Sequence, residues 1–400
     1  MRLYPSPKVI LSITLPLLIS GLANAFVPII PENQLAFNDR YTPESFEEAN
    51  FFWHPTVEKK YQPMVNQGPV MPGQLRNSLN QVAHYLRSQN PNQLVARQGA
   101  NIPNHALSDT LNRLLNWNGG LTPQDLQNQF ELIPLAGYDQ PNTKFTGYYT
   151  PIIQASDQPS DAYRYPIYRS PMAGNLRLLS RNMISQGSLQ NKGLEIAWTN
   201  DPIGLFYMQI QGSGILEYQN SHRQNLSFGG SNEKPFRSMA KHMRQMGYLQ
   251  GNLGRDAIQN WLSANPRYLQ AVMNSNPRYV FFKPSNSVLL TASGLPIVPG
   301  LSVAVDTDFI PFGSVLLAEV PIKNTKGQSL GSEWKILLPH DRGIAIKGPA
   351  RMDIYTGKGE SARVVANRLT GIGKAFLLNN KSNTQLSLHQ STLYGNTAAF

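Results

Sequence analysis

The 400-residue chain contains no cysteine. That absence excludes disulfides, thiolate zinc sites, iron–sulfur clusters, a cysteine nucleophile and a lipid-modified N-terminal cysteine. Charge is scarce too, at 15% of residues, against 41% hydrophobic. Asparagine, glutamine, serine, 31 glycines and 30 prolines fill the polar share instead. This mix suits short strands, turns and hydrogen-bonding grooves better than long charged surface helices. The seven histidines, His54, His84, His105, His222, His242, His340 and His389, have no metal-ligand spacing. Neither a metal nor another cofactor is expected. No P-loop, dinucleotide fingerprint or G-x-S-x-G elbow occurs.

The formal net charge is +11. Lysine and arginine are dispersed, with no run longer than a pair, so no nucleic-acid footprint is visible and no nucleic-acid partner is expected. A basic surface also attracts an acidic polymer or an anionic membrane.

Residues 1–25 read as a secretory signal. Arg2 and Lys8 form the basic start, Val9 to Ser20 an apolar run, and Ala23-Asn24-Ala25 a cleavage site. The alternative is an uncleaved anchor helix. Removing Arg2 and Lys8 leaves 11 − 2 = +9. No later apolar stretch is long enough to cross a membrane as a helix.

Helical spacing of Leu75, Leu79, Val82 and Leu86 predicts a helix over 74–89. A second begins near Ser108. A third follows Thr122-Pro123, an N-cap and first-turn pair. Strands are expected at 144–154, 164–169, 193–199, 203–211, 215–219 and 279–283. Helical patches at 235–247, 254–263 and 266–274 precede the last of these. From 286 the pattern is β with turns, at 301–307, 314–320, 334–338, 344–347 and 351–355. A helix over 359–369 and a strand over 374–378 close the ordered chain. The fold class is α+β, mainly β.

Three stretches carry candidate chemistry. If 203–211 is a strand, alternation places Tyr207, Gln209, Gln211 and Ser213 on one face, opposite Phe206, Met208 and Ile210. Such a row of amides and hydroxyls suits sugar hydroxyls and N-acetyl groups, or it is a solvated strand face. Phe145-Thr146-Gly147-Tyr148-Tyr149-Thr150-Pro151 offers aromatic surface for a sugar groove, or a plain aromatic core strand. Four carboxyls, Asp306, Asp308, Asp341 and Asp353, fall in the β-rich C-terminal region. Asp306 and Asp341 can serve as turn caps. Asp353 is the least suited to that role, because Met352 and Ile354 flank it on a strand.

Several motifs in order resemble the membrane-bound lytic murein transglycosylase A family. They are Phe145 to Pro151, Glu195-Ile196-Ala197-Trp198, Gln209-Ile210-Gln211-Gly212-Ser213-Gly214 and Asn276-Pro277-Arg278-Tyr279-Val280-Phe281-Phe282. Further on come Val303-Ala304-Val305-Asp306, Ile310-Pro311-Phe312-Gly313, the Asp341 to Gly348 stretch and Met352-Asp353-Ile354-Tyr355. The later set resembles that family's three-aspartate domain.

The resemblance implies a double-psi β-barrel plus an inserted β-rich domain, with glycan in the groove between them. Its expected boundaries are a signal peptide at 1–25, a helical segment at 26–143 joining the barrel, the insert at 144–284, the barrel at 285–378 and a polar tail at 379–400. It implies a peptidoglycan lytic transglycosylase in cell-wall turnover. Asp353 is then the catalytic acid and base, with Asp341 and Asp306 in support. Tyr148, Tyr149, Thr146, Gln209, Gln211, Ser213 and Lys347 bind the glycan.

The implied protein is an exported monomer of the periplasm, acting on peptidoglycan strands and open to outer-membrane or cell-wall-complex association. Two departures stand out. The family's anchoring cysteine is missing, and His340 and Arg342 flank Asp341 where glutamine and threonine are expected. An ordinary hydrolase would need a second carboxyl opposite Asp353, with Asp306, Asp308, Asp341 and Glu360 available by count. A non-catalytic glycan-binding module is the remaining alternative.

Overall fold

The computed structural model describes residues 71–381, apart from 95–97, 100, 137–141, 252, 287 and 325–326. The expected signal, the segment up to residue 70 and the tail from 382 lie outside the described residues.

The described strands are β1 Phe130–Pro134, β2 Thr143–Thr150, β3 Ile152–Ser156, β4 Tyr165–Tyr168, β5 Glu195–Thr199, β6 Gly214–Tyr218 and β7 Arg223–Ser231. They continue with β8 Val280–Ser285, β9 Ser302–Ala304, β10 Leu316–Lys323, β11 Ser329–Asp341, β12 Arg351–Lys358, β13 Thr370–Gly373 and β14 Ala375–Asn380. Eight of them form one sheet in the order β1-β14-β10-β11-β9-β12-β2-β13. Its free edge β13 curls back against β10, so the sheet nearly closes into a barrel. Parallel β12–β2 and β11–β9 pairs alternate with the antiparallel β12–β9 pair, the mixed pairing of a double-psi barrel.

The N-terminal helices explain the barrel's stability. Gly73–Arg87 and Asn104–Leu115 turn Leu79, Val82, Leu107, Leu111 and Leu114 onto a core shared with Val303, Leu316, Leu337, Met352 and Ile354. Each such leucine, removed from water, contributes about 2 kcal/mol. The short helix Pro123–Leu126 begins with the capping box expected at Thr122, completed by Asp125. Asn104 rather than Ser108 starts the second helix, because Pro103 supplies the break.

Between β2 and β9 the chain leaves the barrel to build a six-stranded sheet, β4-β5-β3-β6-β7-β8. Ile153, Ile167, Leu216, Leu226, Val280 and Phe282 form its core. A helical layer, Met239–Gln245, Arg255–Ala264 and Leu269–Asn274, packs around Phe206. The first strand of the expected insert, β2, hydrogen-bonds into the barrel sheet, and the crossing comes at Pro151.

The sequence reading needs correcting at 203–211. Pro202–Gln211 is a helix, not a strand. Asp201 caps it, its Oδ1 accepting from the Gly204 N–H at 2.7 Å, and Pro202 takes the first turn. Gly212 ends it in the left-handed region at φ +81°, where a side chain would be strained. The helix lies between the sheet core, which takes Met208, and the helical layer, which takes Phe206. Burial on both sides erased the amphipathic stripe that would have marked it.

Smaller differences follow the same logic. β7, β13 and the helices Gly174–Arg177 and Arg181–Ser185 were not anticipated. The segment 344–347 is turn, and β9 covers only Ser302–Ala304 of the expected 301–307.

Gly147 brings β2 close to the helix Gly359–Arg368. A Cβ there would lie 2.7 Å from the Ala366 Cα and 3.2 Å from the Leu369 Cβ. Gly147→Ala should lower unfolding stability by about 1–3 kcal/mol, read by denaturant titration. A variant as stable as wild type would contradict this packing.

Candidate active site

Period-two alternation on β12 sends Met352 and Ile354 into the barrel core and Asp353 and Tyr355 to the opposite face. Parallel register sets Asp353 beside Thr146 and Tyr355 beside Tyr148 on β2, while β9 places Ala304 on the other flank of Asp353. Asp353, Tyr148, Ala304 and Asp341 thus line one wall of a cleft. The opposite wall comes from the inserted domain: Gln209 to Gly212 at the end of the helix Pro202–Gln211, Arg181, Phe228, Phe236, Asn276 and Arg278.

Asp353 is half-buried. Its Oδ1 accepts from Thr146 Oγ1 at 2.6 Å, and Thr146 Oγ1 in turn accepts from Arg351 Nη2 at 2.9 Å. Its Oδ2 accepts no hydrogen bond from the described residues. Burial pushes its pKa up, against the Thr146 hydroxyl and the Arg351 charge, which favour the ionised form. Neither Asp306 nor Asp341 contributes a like-charge effect; desolvation is the cause of the rise.

Asp341 ends β11 and is 1% exposed. Its Oδ2 accepts from the Tyr148 hydroxyl at 2.9 Å, and its Oδ1 from the Arg342 N–H at 2.9 Å and the Ala292 N–H at 3.2 Å. Burial outweighs these donors and the Arg342 charge and raises the pKa to about 7. Burial against Asp341 also raises the pKa of Tyr148 well above its usual value. Asp306 is buried behind the cleft rather than lining it. Its Oδ2 accepts from the Gly348 N–H at 2.9 Å, pinning the far end of the loop whose residues Arg342 to Ile346 line the cleft. His340 is fully buried, with Nδ1 3.0 Å from Ser302 Oγ and Nε2 unpartnered; burial pushes its pKa down to about 3.

The other candidates divide. Gln209 and Gln211 line the cleft, but from a helix end rather than a strand face. Ser213 is buried and outside the lining. Tyr149 alternates away from Tyr148 and packs on Ala362 and Ala366, beneath the Arg255 guanidinium at 5.4 Å. Thr146 reaches the site through Asp353. Lys347 is exposed on the loop, outside the lining.

Arg181 was missed, and nothing local marks it. It is 5% exposed and donates Nε to the Asn276 carbonyl at 3.0 Å, Nη2 to the Arg278 carbonyl at 2.6 Å and Nη1 to Gln209 Oε1 at 2.6 Å. It also lies over the rings of Phe206 and Tyr279. Burial lowers its pKa only to about 10, so it stays charged at neutral pH and orients Gln209.

Fold and cleft together define a class: a double-psi β-barrel with a β-rich insert, and an acidic pair on the barrel wall facing amides and arginines. Comparison with known proteins identifies the family. The model described as the MltA-specific insert domain matches residues 144–283, and that of the 3D domain residues 301–379. Membrane-bound lytic murein transglycosylase A of Escherichia coli K12 is 34% identical over 279 residues, 68% of this chain and 76% of the relative. Its Vibrio cholerae counterpart is 33% identical over 247 residues, 60% of this chain and 67% of the relative. The crystal structure of E. coli MltA with bound chitohexaose matches at TM-score 0.66 and 30% identity, covering 80% of this chain and 92% of that one. The chain belongs to the MltA family.

Proposed function

We infer that the protein is a lytic murein transglycosylase, cleaving the β-1,4 bond between N-acetylmuramic acid and N-acetylglucosamine and leaving a 1,6-anhydromuramic end. Homologues of that name and the match to a chitohexaose-bound relative support the activity. The observation that carries the residue assignment is the position of Asp353, a half-buried carboxyl with one uncommitted oxygen in the same cleft as Gln209 and Gln211.

The reaction needs one acid–base group. Asp353, protonated, gives its proton to the glycosidic oxygen as the C1–O bond breaks. The C6 hydroxyl oxygen of the same muramic ring bonds to C1, and its proton returns to Asp353. No water is consumed. The nucleophile is tethered to its target, which supplies an effective concentration on the order of 10⁵ M or more. Burial raises the pKa of Asp353, which favours the protonated form that the acid step needs.

A hydrolase would need a second carboxylate free to activate water. Asp341 shares the cleft wall, but its oxygens are engaged by Tyr148, Ala292 and Arg342. Asp306 accepts from Gly348 and Asp308, and Glu360 is ion-paired with Arg363. These commitments favour the one-carboxyl mechanism. The test is digestion of purified sacculi with product masses: ends one water lighter than hydrolytic ends are expected, and hydrolytic ends alone would overturn the reading.

Thr146 supplies a further test. Its hydroxyl favours the ionised form of Asp353, so Thr146→Val raises that pKa further. The alkaline limb of the pH–rate profile for anhydro-end release should move to higher pH. An unmoved limb would remove Asp353 from the acid role.

We place the protein outside the cytoplasm, at the cell wall. The basic and apolar N-terminal run and the "membrane-bound" names of the relatives support this.

A further inference from the structure

Three arginines line the cleft, Arg181, Arg278 and Arg342. The two carboxyls beside them, Asp341 and Asp353, are biased by burial towards their neutral forms. That bias leaves the arginines of the cleft less fully offset by carboxylate charge. Arg181 spends its donors on two backbone carbonyls and Gln209.

Arg342 differs. Its backbone N–H donates to Asp341, but its guanidinium makes no hydrogen bond or ion pair with the described residues, and its Nε is buried without a partner. Leaving a charged donor so is costly, unless a ligand supplies the acceptor. The loop holding it is tied at Gly348 by Asp306, which limits how far Arg342 can swing. Ile344 on the same loop and Ile210 on the opposite wall both line the cleft and are exposed, at 57% and 41%. A cation beside exposed aliphatic surface matches a carboxylate attached to a short apolar group. Proton transfer by Asp353 does not require this cation, so its place is in recognition.

We propose that Arg342 binds a carboxylate carried by the glycan and so sets a preference for carboxylate-bearing strands. The proposal rests on the reading of the chain as a murein enzyme. In murein a carboxylate comes from the lactyl ether of muramic acid where the stem peptide has been removed, or from the stem peptide. Either presents a planar acceptor that a guanidinium engages with two parallel N–H bonds.

The test uses the full chain in an Asp353→Asn background, so that ligands stay intact. Arg342→Gln and Arg342→Lys are added separately. Three ligands are titrated: a peptide-free murein oligosaccharide, the same oligosaccharide with its stem peptides, and chitohexaose, which has no carboxylate. Arg342→Gln should weaken binding of a carboxylate-bearing ligand about tenfold and change chitohexaose binding by less than about twofold. Arg342→Lys should restore part of the loss, and added salt should reduce the Arg342-bearing protein's preference for the charged ligands. Loss on the peptide-free ligand assigns the lactyl group; loss only on the peptide-bearing ligand assigns the stem.

Equal loss on all three ligands would mean that Arg342 acts through Asp341 or the loop, and would overturn the proposal, as would no loss on any. If Arg342→Gln does not fold, the lysine variant and the salt titration decide by the same criteria. Failure of the enzymatic reading shows separately, as absence of anhydro ends from wild-type digests.

Discussion

Asp353→Asn is expected to reduce release of 1,6-anhydromuramic ends from sacculi by roughly 10³-fold, the scale of a lost general acid–base group. The amide keeps the shape of the carboxyl and an oxygen to accept from Thr146, so glycan binding should survive. Folding stability should equal or exceed that of wild type, because a carboxyl whose pKa burial has raised is held at a cost once it ionises. The combination is diagnostic. Lost turnover with retained binding and an undiminished unfolding midpoint identifies chemistry; lost turnover with a fallen midpoint would identify damage to the β2–β12–β9 wall. Normal turnover would remove Asp353 from the mechanism.

The second large effect concerns Asp341. Its pKa rises from 3.8 to about 7 on folding, so the folded chain holds its proton more tightly than the unfolded chain. The stability this contributes is fully present below about pH 4 and is lost as the pH climbs through about 7. His340, next in sequence, runs the other way. Its folded pKa lies near 3, so it costs stability as the pH falls below its ordinary value of 6.5. In wild type the two slopes partly cancel.

Asp341→Asn removes only the first slope, while an amide can still accept from Ala292 and Arg342 and meet Tyr148. Stability of the variant relative to wild type should therefore increase by on the order of 2 kcal/mol between about pH 5 and about pH 8. Denaturant titrations at several pH values give this difference. A pH-independent difference would mean that Asp341 titrates in its ordinary range.

Asp353 was legible in the sequence because a strand leaves few choices. With Met352 and Ile354 taken by the core, alternation sends the carboxyl to the other face. The same rule separates Tyr148 from Tyr149: adjacent residues on one strand cannot share a face, and only Tyr148 reaches the cleft. Gln209 and Gln211 were assigned to the cleft for the wrong local reason. The Asp201-Pro202 start and Gly212 stop of a helix were present, but the residues between them are buried on two sides and carry no helical stripe.

The expected strand 301–307 ends at Ala304, and Asp306 accepts from backbone N–H groups and ties down a loop, the turn-capping role its sequence setting allowed. Arg181 had no local signal. Its partners Gln209, Asn276 and Arg278 come from distant stretches, and only the folded insert brings them together. Arg342 stood out against the family pattern, but its unpartnered Nε needed coordinates.

The central claim is that one carboxyl on the barrel wall returns a proton taken from the sugar's own hydroxymethyl arm, with no part for solvent. Digestion of sacculi by wild type in heavy-oxygen water, with mass analysis of the newly formed muramic ends, tests it most directly. Ends that are anhydro and free of label are the predicted result. Ends that carry a solvent oxygen would contradict it.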